Sequence, residues 1–189
     1  YGSYGEPISS YKAYHQHTQA VVTQDYPTDW ILTTAKDKKV ANPYLWQVAA
    51  GYVSSFRNEF NEARTFLSKA EKMADNPAKK AQVRLIGLLN EVAALERITP
   101  QAEQKLLKDL PWLWDYKAPE GQEALRSGYA LVFIGKYLSM LYKAENNPIM
   151  AELTYSVKGY YRKEAQTAAM EQFLQKKDKT PWEIFWAKK

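Results

Sequence analysis

The residues with the clearest capacity for metal chemistry are two histidines near the start of the chain. His15 and His17 form an H-x-H pattern, which on a β-strand would direct both imidazoles at one metal ion. The residues around them follow a helical period instead, and side chains two positions apart on a helix point to nearly opposite sides. We therefore predict no metal site at these histidines.

Two pairs of glutamates have a spacing that occurs in some acid–base sites. Glu59 with Glu62, and Glu120 with Glu123, each lie within one helical turn. Neither pair is flanked by a histidine, and both lie at predicted helix starts, where carboxylates interact favourably with the helix dipole. Cysteine is absent and no glycine-rich phosphate loop occurs. The sequence predicts no catalytic residue and no cofactor, and a helical enzyme with a glutamate-centred cleft stays as a third hypothesis.

The composition is that of an ordinary globular protein. Of 189 residues, 46% are hydrophobic and 25% are charged, and no apolar run is long enough to cross a bilayer. The net charge of +5 is spread along the chain, so nucleic acid is not expected as a partner. The chain begins at Tyr1, which favours an exported or periplasmic protein over a cytoplasmic one, with a fragment of a longer chain as an open alternative.

The first part of the chain predicts a lead-in followed by two helices. Residues 1–10 contain glycine, proline and serine without a regular period, which indicates an extended segment. From Tyr11 the apolar positions recur at three and four, predicting an amphipathic helix that ends before Pro27. Thr28 or Asp29 then caps a second, short helix that ends in lysines.

A capping residue followed directly by proline occurs five times in the rest of the chain. Asparagine and threonine side chains accept hydrogen bonds from the first helical amides, and proline at the first helical position loses no hydrogen bond. Each pair therefore predicts a helix start, and at Thr180 the capping box is complete because Glu183 lies three residues on. The five pairs are Asn42-Pro43, Asn76-Pro77, Thr99-Pro100, Asn147-Pro148 and Thr180-Pro181.

Further helical periods occur from Asn61 to Asp75 and from Glu120 to Asn146, and no segment shows the sustained alternation of a strand. The sequence therefore predicts an all-α protein of seven to nine helices. Residues 11–189 are interpreted as a single domain of antiparallel helix pairs. A stacked α-solenoid and a compact helical bundle both fit this pattern.

The segment bounded by two Asn-Pro pairs 34 residues apart carries the small residues of a closely packed helix pair. Gly51 lies in the middle of its first predicted helix, and Ala63 and Ala70 lie in its second. Side chains without bulk let two helix axes approach closely. The segment therefore predicts two antiparallel helices in tight contact.

This segment, residues 42–77, resembles the tetratricopeptide repeat family, whose unit is 34 residues long. Besides the small residues, Phe60 stands where an aromatic residue commonly opens the second helix, and Pro77 stands at the terminal proline. Gln47 and Ser54 occupy two positions that usually hold aromatic residues in that family. The resemblance implies a TPR-like α-solenoid of helical repeats.

The resemblance also implies a function and a binding surface. In tetratricopeptide proteins, the first helix of each pair lines a groove that receives an extended peptide or a partner helix. The prediction is thus a non-catalytic scaffold for protein–protein interaction. The groove residues that it implies are Leu45, Val48, Tyr52 and Ser55, with Tyr52 as the main contact.

The aromatic residues give a second hypothesis. The chain has 14 Tyr and 6 Trp, and basic residues surround some of them, as at Tyr160 and Tyr161. Such surfaces bind anionic or sugar polymers, by stacking and by charge. The terminal stretch "PWEIFWAKK" carries Trp182, Phe185 and Trp186, whose rings require cover, either from this chain or from a larger assembly.

Overall fold

The computed structural model describes residues 28–117, 127–157 and 163–188. These ranges contain ten α-helices and no strand, so the all-α prediction is confirmed and the predicted number of helices is too low. The predicted lead-in at residues 1–10 and the predicted helix from Tyr11 lie outside the described residues. No helix in the described ranges combines the length and apolar character needed to cross a membrane.

The chain divides into two compact units, with the boundary between Ala94 and Leu95. The helices of the first unit are α1 (Asp29–Lys36), α2 (Pro43–Phe56), α3 (Phe60–Met73) and α4 (Pro77–Ala93). Those of the second unit are α5 (Pro100–Leu106), α6 (Leu110–Asp115), α7 (Ser127–Ala144), α8 (Pro148–Tyr155), α9 (Lys163–Gln175) and α10 (Pro181–Trp186). A single domain over residues 11–189 stays a prediction.

All five pairs of a capping residue and proline start a helix, as predicted. Four of the capping side chains accept a hydrogen bond from an amide in the first turn, and Thr180 and Glu183 form the complete capping box. Asn42 is the exception, because its backbone is left-handed with φ 56° and its side chain makes no cap hydrogen bond. A capping residue normally has extended backbone, which places its oxygen over the first amides. Thr28 also precedes its helix without a side-chain cap.

The close contact predicted between the helices of residues 42–77 is present between α2 and α3. A Cβ atom at Gly51 would lie 2.7 Å from Cδ2 of Leu67, so a larger residue would collide with α3. Ala63 and Ala70 of α3 are completely buried. Small residues therefore set the short distance between these two helices.

Helix α2 also contacts its other neighbours in the first unit, through polar side chains. The Tyr44 hydroxyl donates to Gln82 Oε1 of α4 at 2.8 Å. Gln47 is buried, and its Nε2 donates to the carbonyl oxygen of Ala35 in α1 at 2.6 Å. An amide at this position thus joins two helices by a hydrogen bond.

In the second unit, the aromatic residues of α10 are covered by the chain itself. Trp182, Phe185 and Trp186 are all buried. Phe185 meets the ring of Trp114 edge-on, with the centroids 5.7 Å apart. Trp182 and Trp186 pack edge-on at the same distance. These rings belong to the core of the second unit, which supplies the cover that the sequence required.

Candidate functional site

The four predicted contact residues of α2 divide into an exposed pair and a buried pair. Leu45 and Tyr52 are 53% and 47% exposed, whereas Val48 and Ser55 are 6% and 8% exposed. Leu45 and Tyr52 are seven residues, or about two turns, apart and lie on the same side of the helix. Val48 points into a core cluster formed with residues of α3 and α4. The structure therefore leaves Leu45 and Tyr52 accessible and places Val48 and Ser55 in the interior.

Helix α1 extends the accessible surface with a tryptophan that the sequence analysis did not single out. Trp30 is 58% exposed, and its ring meets the partly buried ring of Trp46 edge-on at 5.6 Å. Trp46 directly follows Leu45 on α2. We call Trp30, Leu45, Trp46 and Tyr52 the apolar patch.

Helix α1 is held in place at both of its ends. Asp29 Oδ1, at its start, accepts from Arg57 Nη1 at 2.6 Å, just after the end of α2. Near its other end, the Ala35 carbonyl accepts from Gln47 in the first half of α2. The two helices therefore run antiparallel.

The described part of the first unit also has an open polar depression of about 450 Å³ at the start of α3. It is lined partly by the predicted carboxylate pair, Glu59 and Glu62. Glu59 Oε1 accepts from Arg57 Nε at 3.2 Å, and Arg64, another lining residue, is bound by Glu91 at 2.7 and 3.0 Å. These ion pairs join neighbouring elements and engage the charges of Glu59 and Arg64.

The second unit brings together two glutamates that are far apart in sequence. Burial raises the pKa of the Glu103 carboxyl, and the nearby negative charge of Glu183 raises it further. Burial would also raise the pKa of Glu183, but hydrogen bonds from Lys176 and Thr180 outweigh it and hold that pKa below its usual value. Opposed pKa values are typical of acid–base pairs. Both oxygens of Glu183 are engaged, however, because Oε1 accepts from the Thr180 amide at 3.0 Å and Oε2 accepts from Lys176.

We expect Glu183→Ala to lower the free energy of unfolding by about 1–2 kcal/mol at pH 7, through loss of the capping box and the ion pair. The folded-state pKa of Glu183 lies below the ordinary value of 4.5. Its stabilising contribution is therefore present above about pH 4.5 and is lost as the pH falls through the folded-state pKa. Denaturant unfolding of the wild type and the variant at pH 7 and pH 3 measures this difference. A difference in unfolding free energy that is equal at the two pH values would contradict the interpretation.

Glu103→Gln is the matched control, and its effect has the opposite sign. The pKa of Glu103 is raised, so its ionisation removes stability as the pH rises from 4.5 through the folded-state pKa. The variant should therefore be more stable than the wild type at pH 7, by less than about 1 kcal/mol, and equally stable at pH 3. A loss of stability at pH 7 would show that Glu103 is not repelled in the folded state.

Several candidate residues from the sequence analysis fall outside the described ranges. Within those ranges, no group of three or more His, Cys, Asp or Glu residues is arranged to hold a metal ion. The candidates that lie outside are His15, His17, Glu120, Glu123, Tyr160 and Tyr161.

Comparison with known proteins gave no match: no family model, no curated protein and no solved structure is significantly similar to this chain. The apolar patch is therefore interpreted from its own geometry. It offers exposed aromatic and aliphatic side chains on two helices that are joined to each other.

Proposed function

We propose that this chain is a non-catalytic interaction module that binds a peptide or a partner helix on the apolar patch of α1 and α2. The observation that carries the proposal is the exposure of Trp30, Leu45 and Tyr52 on one pair of joined helices. Single exposed apolar residues are common on protein surfaces, but contiguous apolar groups indicate a binding site.

The residue types also suit this role. Tyrosine and tryptophan are enriched among the residues that dominate binding energies, because each buries a large rigid ring and offers one hydrogen-bonding group. Trp30 and Trp46 support one another edge-on, which limits the freedom that either ring would lose on binding. Leu45 adds an aliphatic side chain that a partner could cover at little cost.

A repeat-like arrangement of the first unit supports the same proposal. Helices α2 and α3 form the close pair with Gly51 at its contact, and α2 also contacts the start of the next helix, α4, through Tyr44. In tetratricopeptide repeats, the first helix of a unit similarly packs on its partner and on the following unit. We infer that α2 occupies the position of such a first helix, and that its exposed side contributes to the groove of a TPR-like solenoid.

We expect Tyr52→Ala and Leu45→Ser each to weaken binding of a captured partner by roughly tenfold without changing helicity. Both residues are about half exposed, so little core packing is lost. The partner is first captured from source-cell extract on the immobilised chain, washed at moderate salt, and then titrated against each variant. Circular dichroism establishes whether the helices are intact.

Two controls separate binding from folding. Met73→Ser changes an apolar residue of comparable exposure at the end of α3, outside the patch, and should leave binding unchanged. Val48→Ala shortens a core residue next to the patch and should mainly reduce stability, by roughly 1–3 kcal/mol. A loss of helicity in Tyr52→Ala would instead make Tyr52 a packing residue. Capture of nucleic acid or polysaccharide that dissociates as the salt concentration is raised would support the second hypothesis, binding of an anionic or sugar polymer.

A further inference from the structure

The apolar patch has a cluster of cations at one end. Lys36 is the last residue of α1, and Lys38 and Lys39 lie in the turn that leads to α2. All three side chains are exposed, and in the described part of the chain none of them is paired with a carboxylate. Since α2 begins directly after this turn, the lysines lie at the same end of the patch as Leu45.

The turn itself is well defined. The amide of Lys39 donates to Asp37 Oδ1 at 2.9 Å, so the one acidic side chain of the turn is used to shape its backbone. Lysine at the end of a helix is commonly explained by the helix dipole, which accounts for Lys36. Lys38 and Lys39 lie beyond the helix and gain nothing comparable from the dipole. Their charges are available to a ligand.

At the opposite end of the patch, the cation is paired with two carboxylates. Arg57, just after α2, is bound by Asp29 at 2.6 Å and by Glu59 at 3.2 Å. The pKa of the Arg57 guanidinium is raised, mainly by its hydrogen bond with Asp29, so this cation is held by carboxylates of the chain itself. The free positive charge beside the patch is therefore concentrated at the lysine end.

We propose that the partner of the apolar patch is an acidic segment of another protein, with leucine or aromatic anchors on the patch and aspartate or glutamate residues beside Lys36, Lys38 and Lys39. This inference rests on the proposed function and specifies its partner. Exposed charges at the rim of an apolar contact steer association and select partners, while the apolar core supplies most of the affinity. An acidic end would also fix the direction in which the segment lies along α2.

The test is selection of random 16-residue peptides displayed on phage against the immobilised full chain. We expect enrichment of peptides that combine leucine or aromatic residues with a net negative charge. A synthetic copy of an enriched peptide should bind the variant K36E/K38E/K39E about tenfold more weakly than the wild type. Its affinity for the wild type should also fall as salt is raised from low to moderate concentration.

A charge-matched control is available in the same unit. Lys69 and Lys72 of α3 and Lys80 of α4 are exposed as well, and K69E/K72E/K80E makes the same change in net charge outside the lysine turn. The peptide should bind this control variant within about twofold of the wild type. Equal weakening in both triple variants would overturn the assignment to the lysine turn, because only the net charge would then matter.

The remaining outcomes distinguish failure of this inference from failure of the proposed function. Enriched peptides that are neutral or basic, and whose binding is lost in Leu45→Ser, would overturn the acidic partner but leave the patch as a binding site. Enrichment of acidic peptides that lack apolar residues and are displaced by heparin would overturn the acidic protein partner in favour of polyanion binding. Selection that yields no peptide sensitive to Leu45→Ser would overturn the proposed function and this inference together.

Discussion

Replacing Trp182 with alanine is expected to lower the free energy of unfolding by about 3–5 kcal/mol. The side chain is only 1% exposed, and its ring packs edge-on against Trp186 at 5.7 Å. Its Nε1 donates to the hydroxyl oxygen of Tyr142 at 2.6 Å. The substitution therefore creates a large cavity and also leaves a buried hydroxyl without its donor.

The hydrogen bond with Tyr142 can be tested separately from the cavity. Burial is the main cause that raises the pKa of Tyr142 above its ordinary value, so the hydroxyl stays neutral at pH 7 and accepts from Trp182. Tyr142→Phe removes the acceptor with almost no change in volume, and we expect a loss of about 1–2 kcal/mol because the indole N–H is then buried and unpaired. Trp182→Phe removes the donor together with part of the ring volume, so Tyr142→Phe is the cleaner measure of the hydrogen bond.

Denaturant unfolding measured by circular dichroism and tryptophan fluorescence gives the three values. Ile184→Ala is the matched control, since Ile184 lies on the same helix but is 51% exposed. It should change the unfolding free energy by less than about 0.5 kcal/mol. If Trp182→Ala were no more harmful than Ile184→Ala, the assignment of α10 to the core of the second unit would be wrong.

The helix starts were the most predictable part of this fold, because their signals are local. A cap side chain followed by proline needs only the next three residues to form its hydrogen bonds, and four of five such caps form as expected. Asn42 departs because its backbone is left-handed rather than extended, and its side chain makes no cap hydrogen bond.

The number of helices was underestimated because α6 and α9 were not predicted, and α6 has in its first turn a proline without a capping residue directly before it. Pro111 was not counted as a helix start, yet α5 ends at Leu106 and α6 begins at Leu110, so that Pro111 lies in the first turn of α6. Proline cannot continue an existing helix but is tolerated in the first turn of a new one. Pro111 therefore separates α6 from α5 and lies within the first turn of α6.

The exposure of the predicted groove residues was only partly predictable, because burial on a helix depends on every neighbour. The resemblance to a tetratricopeptide repeat placed Val48 on the groove side of α2. Helix α4 packs there too and buries Val48. Trp30 was not singled out from the sequence for a related reason. The spacing of apolar residues in α1 does not show that the Trp30 ring meets Trp46 of α2. The approach of Glu103 to Glu183 likewise depends on tertiary contacts between distant helices.

Gly135→Ala is expected to destabilise the second unit by about 2–3 kcal/mol. A Cβ atom at Gly135 of α7 would collide with the carbonyl oxygen of Thr154 in α8 and would lie 2.9 Å from Cγ1 of Val157. A backbone oxygen cannot move aside as a flexible side chain can, so the two helices must separate to admit one methyl group. Such close packing of α7 on α8 was not evident from the long apolar period around this glycine.

Gly87→Ala provides the control for this prediction. Gly87 lies inside α4, and a Cβ atom there would meet nothing within 4 Å. Alanine should therefore stabilise the protein by about 0.5–1 kcal/mol, since it lowers the entropy lost when the helix forms. Denaturant unfolding of both variants should give changes of opposite sign. A stabilising effect of Gly135→Ala would show that α7 and α8 are not in contact at this position, because helix propensity alone would then decide the result.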